Sequence, residues 1–298
     1  MHRMRAARAA AIVALCVACT AEAKPSGEAP SEEASANCRT VQPSRPLPSA
    51  LHESSGLAAS HRQAGVLWTH NDSGDSAELF AVDAAGRALG TSLITGARNE
   101  DWEDVAVGPC EGGDCLFIAD TGDNERTRKD ASIYRVREPE PGKPSAPAER
   151  LRVRYPRGSH DTEALFVLPN GEIYLVTKGR NDAQTLYRYR PGGGERLEKV
   201  VELGPEPKEQ LRYITGASAS PSGRWVAVRR YKQLSIYRTA ELLAGNTTPA
   251  LEADLTAVGE AQGEGVALLD NGRVILSSEG GFKEAPGTLA ILQCELPE

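Results

Sequence analysis

One short unit constrains this chain more than any other feature. It runs from an acidic or small residue into an apolar strand, a tight glycine-containing turn and a second apolar strand. The clearest copy is Asp161-Thr162-Glu163-Ala164-Leu165-Phe166-Val167, then Leu168-Pro169-Asn170-Gly171, then Glu172 through Val176. Asn-Gly between two apolar runs is a strong hairpin signal and predicts a type I′ turn, with positive φ at both central residues. Four more copies begin at Ser55-Gly56-Leu57, Glu103-Asp104-Val105, Thr215-Gly216-Ala217 and Glu264-Gly265-Val266. Successive copies start 48, 60, 52 and 49 residues apart, a period that marks a propeller or solenoid of small units.

Each copy continues alike. A third strand such as Ile133-Tyr134-Arg135-Val136 or Leu186-Tyr187-Arg188-Tyr189 follows, and then a more polar fourth, such as Leu197 to Leu203. Near-continuous apolar runs suit inner strands covered on both faces, and growing polarity suits an outer edge in water. Only Thr239 to Ala244 has a helical period, which excludes a helical solenoid. The fold class is therefore all-β: a β-propeller of five four-stranded blades. Six blades would require the long second unit to hide one, but its Pro-rich segment Arg137 to Glu149 reads as a loop. The last copy stops after its third strand. The segment Cys38 to Gln42 is available as its fourth, which would close the ring and remove an exposed edge.

The chain divides into three parts. Residues 1–18 read as a signal peptide: Arg3, Arg5 and Arg8 precede an apolar run, Ala9 to Ala18, too short to span a membrane. Cys16-Val17-Ala18-Cys19 resembles a bacterial lipobox with Cys19 as the lipidated residue; ordinary cleavage nearby is the alternative. Residues 19–37 lack large apolar side chains and read as a flexible tether, and residues 38–298 are the propeller domain. The expected location is extracytoplasmic, in the periplasm or at the cell surface, held to a membrane by the N-terminal lipid alone. The formal net charge is −7, and losing the three leader arginines makes it −10, which argues against nucleic acid as a partner. Cys110 and Cys115 flank a turn and read as one disulfide. Cys38 and Cys294 read as a second, latching the ring, where loop closure is worth on the order of 4–5 kcal/mol. Metal ligation by these cysteines is the alternative, without the paired spacing that favours it.

Two sets of repeated positions would face one end of such a ring. The first holds Ser55, Glu103, Glu163, Thr215 and Glu264, with Asp161 nearby. Glutamates converging on a channel mouth repel one another unless a cation lies between them, and carboxylate oxygens suit Ca²⁺. The alternative is that they hold the blades through backbone N–H groups. The second set follows the second strand. Asp72-Ser73-Gly74-Asp75 and Asp120-Thr121-Gly122-Asp123 share the pattern Asp-[Ser/Thr]-Gly-Asp, so Asp72 and Asp120 join Glu103, Glu163, Glu264 and Asp161 as candidate metal ligands. Such runs also form simple Asx turns. Lys178, Arg180, Arg229 and Arg230 form a basic arc opposite, a candidate site for a small anionic ligand, or ordinary charge alternation. His70 and His160 are candidate general bases, with structural loop histidines as the alternative. No nucleophile elbow, zinc-protease helix or phosphate loop is present.

The segments Asp101-Trp102-Glu103-Asp104-Val105-Ala106, Asp161-Thr162-Glu163-Ala164-Leu165 and Glu264-Gly265-Val266 resemble extracellular bacterial β-propellers of the phytase-like and gluconolactonase-like groups. The resemblance implies bound Ca²⁺ with Glu103, Glu163 and Glu264 as ligands, and hydrolysis of a phosphate ester or lactone. Those groups commonly have six blades, against five here. Three readings follow: a surface-anchored binder of a ligand through a divalent cation, a Ca²⁺-dependent hydrolase, and a protein-interaction platform without a metal. The expected partner is a small anionic ligand or another extracytoplasmic protein, met by a monomer.

Overall fold

The computed structural model describes residues 37–128, 131–281 and 285–297; the leader, the lipobox and all but the last residue of the tether lie outside them. The strands form five antiparallel four-stranded sheets. Blade 1 comprises Ser54–Ala59, Leu67–Asn71, Glu78–Val82 and Ala88–Leu93. Blade 2 comprises Trp102–Cys110, Gly113–Asp120, Ala131–Arg137 and Glu149–Val153. Blade 3 comprises Thr162–Val167, Ile173–Thr177, Gln184–Tyr189 and Glu198–Gly204. Blade 4 comprises Ile214–Ala219, Trp225–Arg230, Gln233–Arg238 and Leu251–Asp254. Blade 5 comprises Gln262–Leu268, Arg273–Glu279 and Thr288–Cys294, and its outer strand is Cys38–Pro46 from the N-terminus. The first strand of each blade packs on the first strand of the next, and blade 5 returns to blade 1. The protein is a five-bladed β-propeller.

The closure is a strand pair plus a covalent bond. Cys38 lies opposite Cys294 in the ladder, and the two form a disulfide across 256 residues. The second disulfide, Cys110–Cys115, staples the hairpin of blade 2.

Apolar side chains fill the wedges between blades rather than one central core, because the alternating faces of every sheet meet those of its two neighbours. Trp68, Trp102 and Ile118 lie between blades 1 and 2, Phe117 and Leu175 between blades 2 and 3, and Phe166 and Val228 between blades 3 and 4. Trp225 and Leu276 lie between blades 4 and 5, and Leu57 and Ile275 complete the circle between blades 5 and 1.

The hairpins differ from the expected type I′ turn. The N–H of Gly171 donates to Leu168 O at 2.9 Å and the N–H of Leu168 to Glu172 O at 3.0 Å. Only Gly171 is left-handed, at φ 82°, while Asn170 is not. The same pattern recurs at Gly86 and Gly272, while Gly223 sits in a loop one residue longer, closed by the Ser220 N–H donating to Trp225 O at 2.9 Å. One residue more than a minimal two-residue loop lets an ordinary turn plus one left-handed glycine reverse the chain, so the asparagine need not leave its favoured region.

The long second unit hides no sixth blade. Its Pro-rich loop lies along the outer strand of blade 1: Ser145 N–H donates to Leu93 O at 2.9 Å and Ala148 N–H to Thr95 O at 2.8 Å. The loop thereby covers part of an edge that would otherwise invite pairing.

Candidate metal centre

Every inner strand carries a bulge at one place. The ladder of blade 2 steps from Trp102 opposite Asp120 to Asp104 opposite Ala119, leaving Glu103 unpaired. Blade 3 leaves out Glu163 and blade 4 leaves out Thr215 in the same way. The shifts in blades 1 and 5 span Ser55 and Glu264. A bulge re-aims the side chain of its extra residue. These five residues are the ones the repeat singles out, so the recurrent acid marks the bulge and not merely the start of a strand.

The ladder also identifies a second ring. Asn71, Asp120, Thr177, Arg230 and Ser278 stand opposite the residue before the bulge. The next residue in each chain is Asp72, Thr121, Lys178, Tyr231 or Glu279. The funnel is thus lined by two layers, one of bulge residues and one of residues at or just past the end of the second strand.

Beneath the layers sits Asp104, where the other inner strands carry Gly56, Ala164, Gly216 and Gly265. A Cβ on Gly265 would lie 2.5 Å from Ser55 O, so the inner strands approach too closely there for a side chain. In blade 2 the fully buried Asp104 carboxylate accepts the N–H of Val105 at 2.8 Å, of Leu165 at 2.8 Å and of Ala217 at 3.2 Å. Leu57 N–H contributes as well, so amides of four blades meet one carboxylate at the axis. Burial pushes this carboxyl up, against the pull of those amides.

The funnel gathers most of the predicted acids. Oxygens of Asp72, Asp101 and Glu103 all lie within 4.8 Å of one another, and so do oxygens of Glu103, Asp161 and Glu163. Glu103 belongs to both sets. Gly122 makes room for the first, because a Cβ there would collide with Glu103 Oε1 and the Asp101 carboxylate. Burial, then Asp72, pushes Asp101 up to about 6. Burial, then Glu163 and Asp72, pushes Glu103 well up. Glu163 is raised to about 7 by burial, against the Lys178 ammonium that touches it. Burial also raises Glu264, with Glu163 and Glu279 adding to the shift, and Glu279 reaches about 7 through burial and Asp72.

Some predicted residues stand elsewhere. Glu264 enters neither set among the described residues; the Gln262 amide donates to it at 2.9 Å and to Glu279 at 2.7 Å. The three bulge glutamates therefore do not form a single ligand set. Asp120 turns away from the funnel: its Oδ1 accepts the N–H of Asp101 at 3.0 Å and Arg128 Nη2 at 2.9 Å. Arg229 is fully buried, donating to Gly265 O at 2.7 Å and Ser277 O at 2.9 Å and pairing with Glu260. It joins blade 4 to blade 5 and offers nothing to a ligand. Arg230 donates to Gln184 Oε1 at 2.9 Å, and Arg180 to Asn124 Oδ1 at 2.7 Å. Of the basic arc only Lys178 faces the acids.

Neither histidine is placed as a general base of the funnel. His70 is fully buried, edge-on to Trp102 with ring centres 5.7 Å apart, and burial holds it down at about 4. His160 packs edge-on against Tyr155, with Nδ1 2.7 Å from Asp182. Tyr231 of the second layer escaped sequence reading because its neighbours Arg229 and Arg230 drew the motif one and two positions early. Counting from the bulge finds it.

The donor set is all oxygen, which suits a hard divalent cation. Two oxygens on one Ca²⁺ at roughly 2.3–2.6 Å cannot be much more than about 5 Å apart, and both sets meet that limit. Asp161 adds a second sign: its Oδ2 is buried and has no hydrogen-bond partner.

No family model and no curated protein sequence matches the chain. Solved structures do. The PQQ-bound aldose sugar dehydrogenase of Streptomyces coelicolor aligns over 90% of this chain and 100% of its own, at 15% identity and TM-score 0.53. A glucose dehydrogenase aligns over 85% and 99%, at 11% identity and TM-score 0.51. At such identities the likeness is one of fold. The chain shares with these enzymes a propeller scaffold whose inner strands surround an axis.

Proposed function

We propose that the protein binds a ligand through one divalent cation, Ca²⁺ by the chemistry of its donors, held by Asp72, Asp101 and Glu103. The carrying observation is that these carboxylates converge within 4.8 Å in a funnel built by repeated bulges. Three acids that close oppose one another's ionisation, and a cation relieves that opposition. When bound, the cation supplies Lewis acidity and open coordination positions for a ligand oxygen. The chain's part is to aim the carboxylates and exclude water below them with Asp104.

Calorimetric titration of chelator-treated protein tests this reading. Ca²⁺ should bind one per chain, and Asp101→Asn should weaken it at least tenfold. Absence of both heat and thermal shift would remove the metal. The two disulfides fit an oxidising compartment, and no described helix is long and apolar enough to cross a membrane. Lipid attachment at Cys19 completes the proposal, and Cys19→Ala should move the protein from the membrane to the soluble fraction.

One observation favours a second reading, hydrolysis of a phosphate ester or lactone. Glu163, raised to about 7, lies beside the cation site and is poised to take a proton from water. A panel of phosphomonoesters and lactones should then be turned over by the native protein and not by Glu163→Gln. Equal rates would end this reading.

A further inference from the structure

Glu103 belongs to two carboxylate sets at once, an arrangement that suits two cations sharing a bridging carboxylate. The two sets differ in one respect. The ammonium of Lys178 contacts Glu163 and lies 3.7 Å from Asp161 Oδ2. The Lys178 side chain is 11% exposed, and it comes from the upper layer, directly over the second set. Burial alone would lower this ammonium, but Glu163, Glu103 and Asp161 more than reverse the effect and raise it, so it stays charged. Among the described residues no cationic side chain occupies the corresponding place in the first set: Arg128 pairs with Glu100 and Asp120 behind it.

We propose that Lys178 is a tethered counter-ion filling a second metal site, so that the funnel takes one divalent cation instead of two. This rests on the cation site proposed above. Three observations carry it. The second set meets the same oxygen spacing as the first. Asp161, only 4% exposed, keeps Oδ2 without a hydrogen-bond partner and faces the ammonium at ion-pair distance. And the side chain at this register position is an acid in two other blades, Asp72 and Glu279, so a lysine here reverses the sign at one point of a layer. An ammonium neutralises one charge and offers no open coordination position. A second metal would neutralise two and leave places for ligand oxygens. Lys178 therefore sets both the ion count and the side of the funnel on which a ligand oxygen can meet a metal: the side of blades 1 and 2.

Ion stoichiometry decides the matter. Native protein should bind one Ca²⁺ per chain, Lys178→Met two, and Lys178→Arg one, since arginine keeps the charge. One ion in native protein and still one in a folded Lys178→Met would overturn the role of Lys178 and leave the first site standing. No ion in any of the three would instead overturn the cation site itself. Should Lys178→Met not fold, anomalous scattering from Mn²⁺-soaked crystals of native protein decides. A single peak among Asp72, Asp101 and Glu103, with the ammonium still on Glu163, supports the proposal. A peak among Glu103, Asp161 and Glu163 overturns it.

Discussion

Asp72 follows a second strand and Asp120 ends one, and each begins an Asp-hydroxyl-Gly-Asp run, yet their carboxylates do different things. Asp72 joins Asp101 and Glu103 over the funnel. Asp120 lies behind that set, fixing the backbone of Asp101 and pairing with Arg128. The ladder gives the reason. Asn71 stands opposite Ser54 and Asp120 opposite Trp102, so Asp120 is the counterpart of Asn71, and Asp72 that of Thr121. The four letters match, but they are one residue out of phase, and one residue turns a strand side chain to the other face. The glycines follow suit: Gly122 is packed under two carboxylates, whereas Gly74 is in open space. Register, counted from the bulge, assigns the role.

The largest test of that rule lies one position earlier, at His70 and Arg229, where side chains face the next blade. Glu260→Ala should cost about 3–5 kcal/mol, because it strands Arg229 as an unpaired buried charge, while Ca²⁺ affinity stays within a few-fold. Chemical denaturation and calorimetry together check both halves. Next, Gly122→Ala should lower Ca²⁺ affinity at least 100-fold, about 2.7 kcal/mol, by pushing Glu103 and Asp101 apart. Gly74→Ala, in the matching run, should leave affinity unchanged. If both alanines weaken binding equally, the register argument fails.

The aspartates sharpen the same contrast. Asp120→Asn should lower stability by about 2 kcal/mol through the loss of charge-assisted bonds to Arg128. Asp72→Asn should lower affinity without lowering the stability of the metal-free protein. Melting curves in chelator, set beside titrations, separate the two effects. A comparable shift comes from pH. Glu163 is raised from 4.5 to about 7, so the folded state holds its proton more tightly than the unfolded state does. Its contribution is full below pH 4.5 and is lost as pH rises through 7. Metal-free native protein should therefore lose about 3 kcal/mol relative to Glu163→Gln across that window, and Ca²⁺ should shrink the difference. The smallest effect belongs to Gly74→Ala, which places a side chain at φ 86° and should cost about 1 kcal/mol in denaturant melts.

Much of this architecture was legible because propellers repeat. Five copies of one pattern showed the blades, and the missing fourth strand of the last copy pointed to Cys38 and its bond to Cys294. The acids at Glu103 and Glu163 were visible for the same reason. Arg229 was misread because a charged residue after an apolar strand looks like a rim residue. Its guanidinium instead reaches carbonyls of Gly265 and Ser277 in the next blade, and no single-strand pattern contains those partners. The role of Asp104 is not legible in the sequence, since its four amide donors come from four different blades.

Local sequence by itself determined the strands, the positions of the turns, the number of blades and the latch, because these depend on apolar period, glycine placement and the order of elements along the chain. Only the tertiary structure decided which acids share a point and which cation already occupies one. That outcome depends on where five bulges aim their side chains around a common axis. Strand pairing sets the aim, and a shift of one residue reverses it.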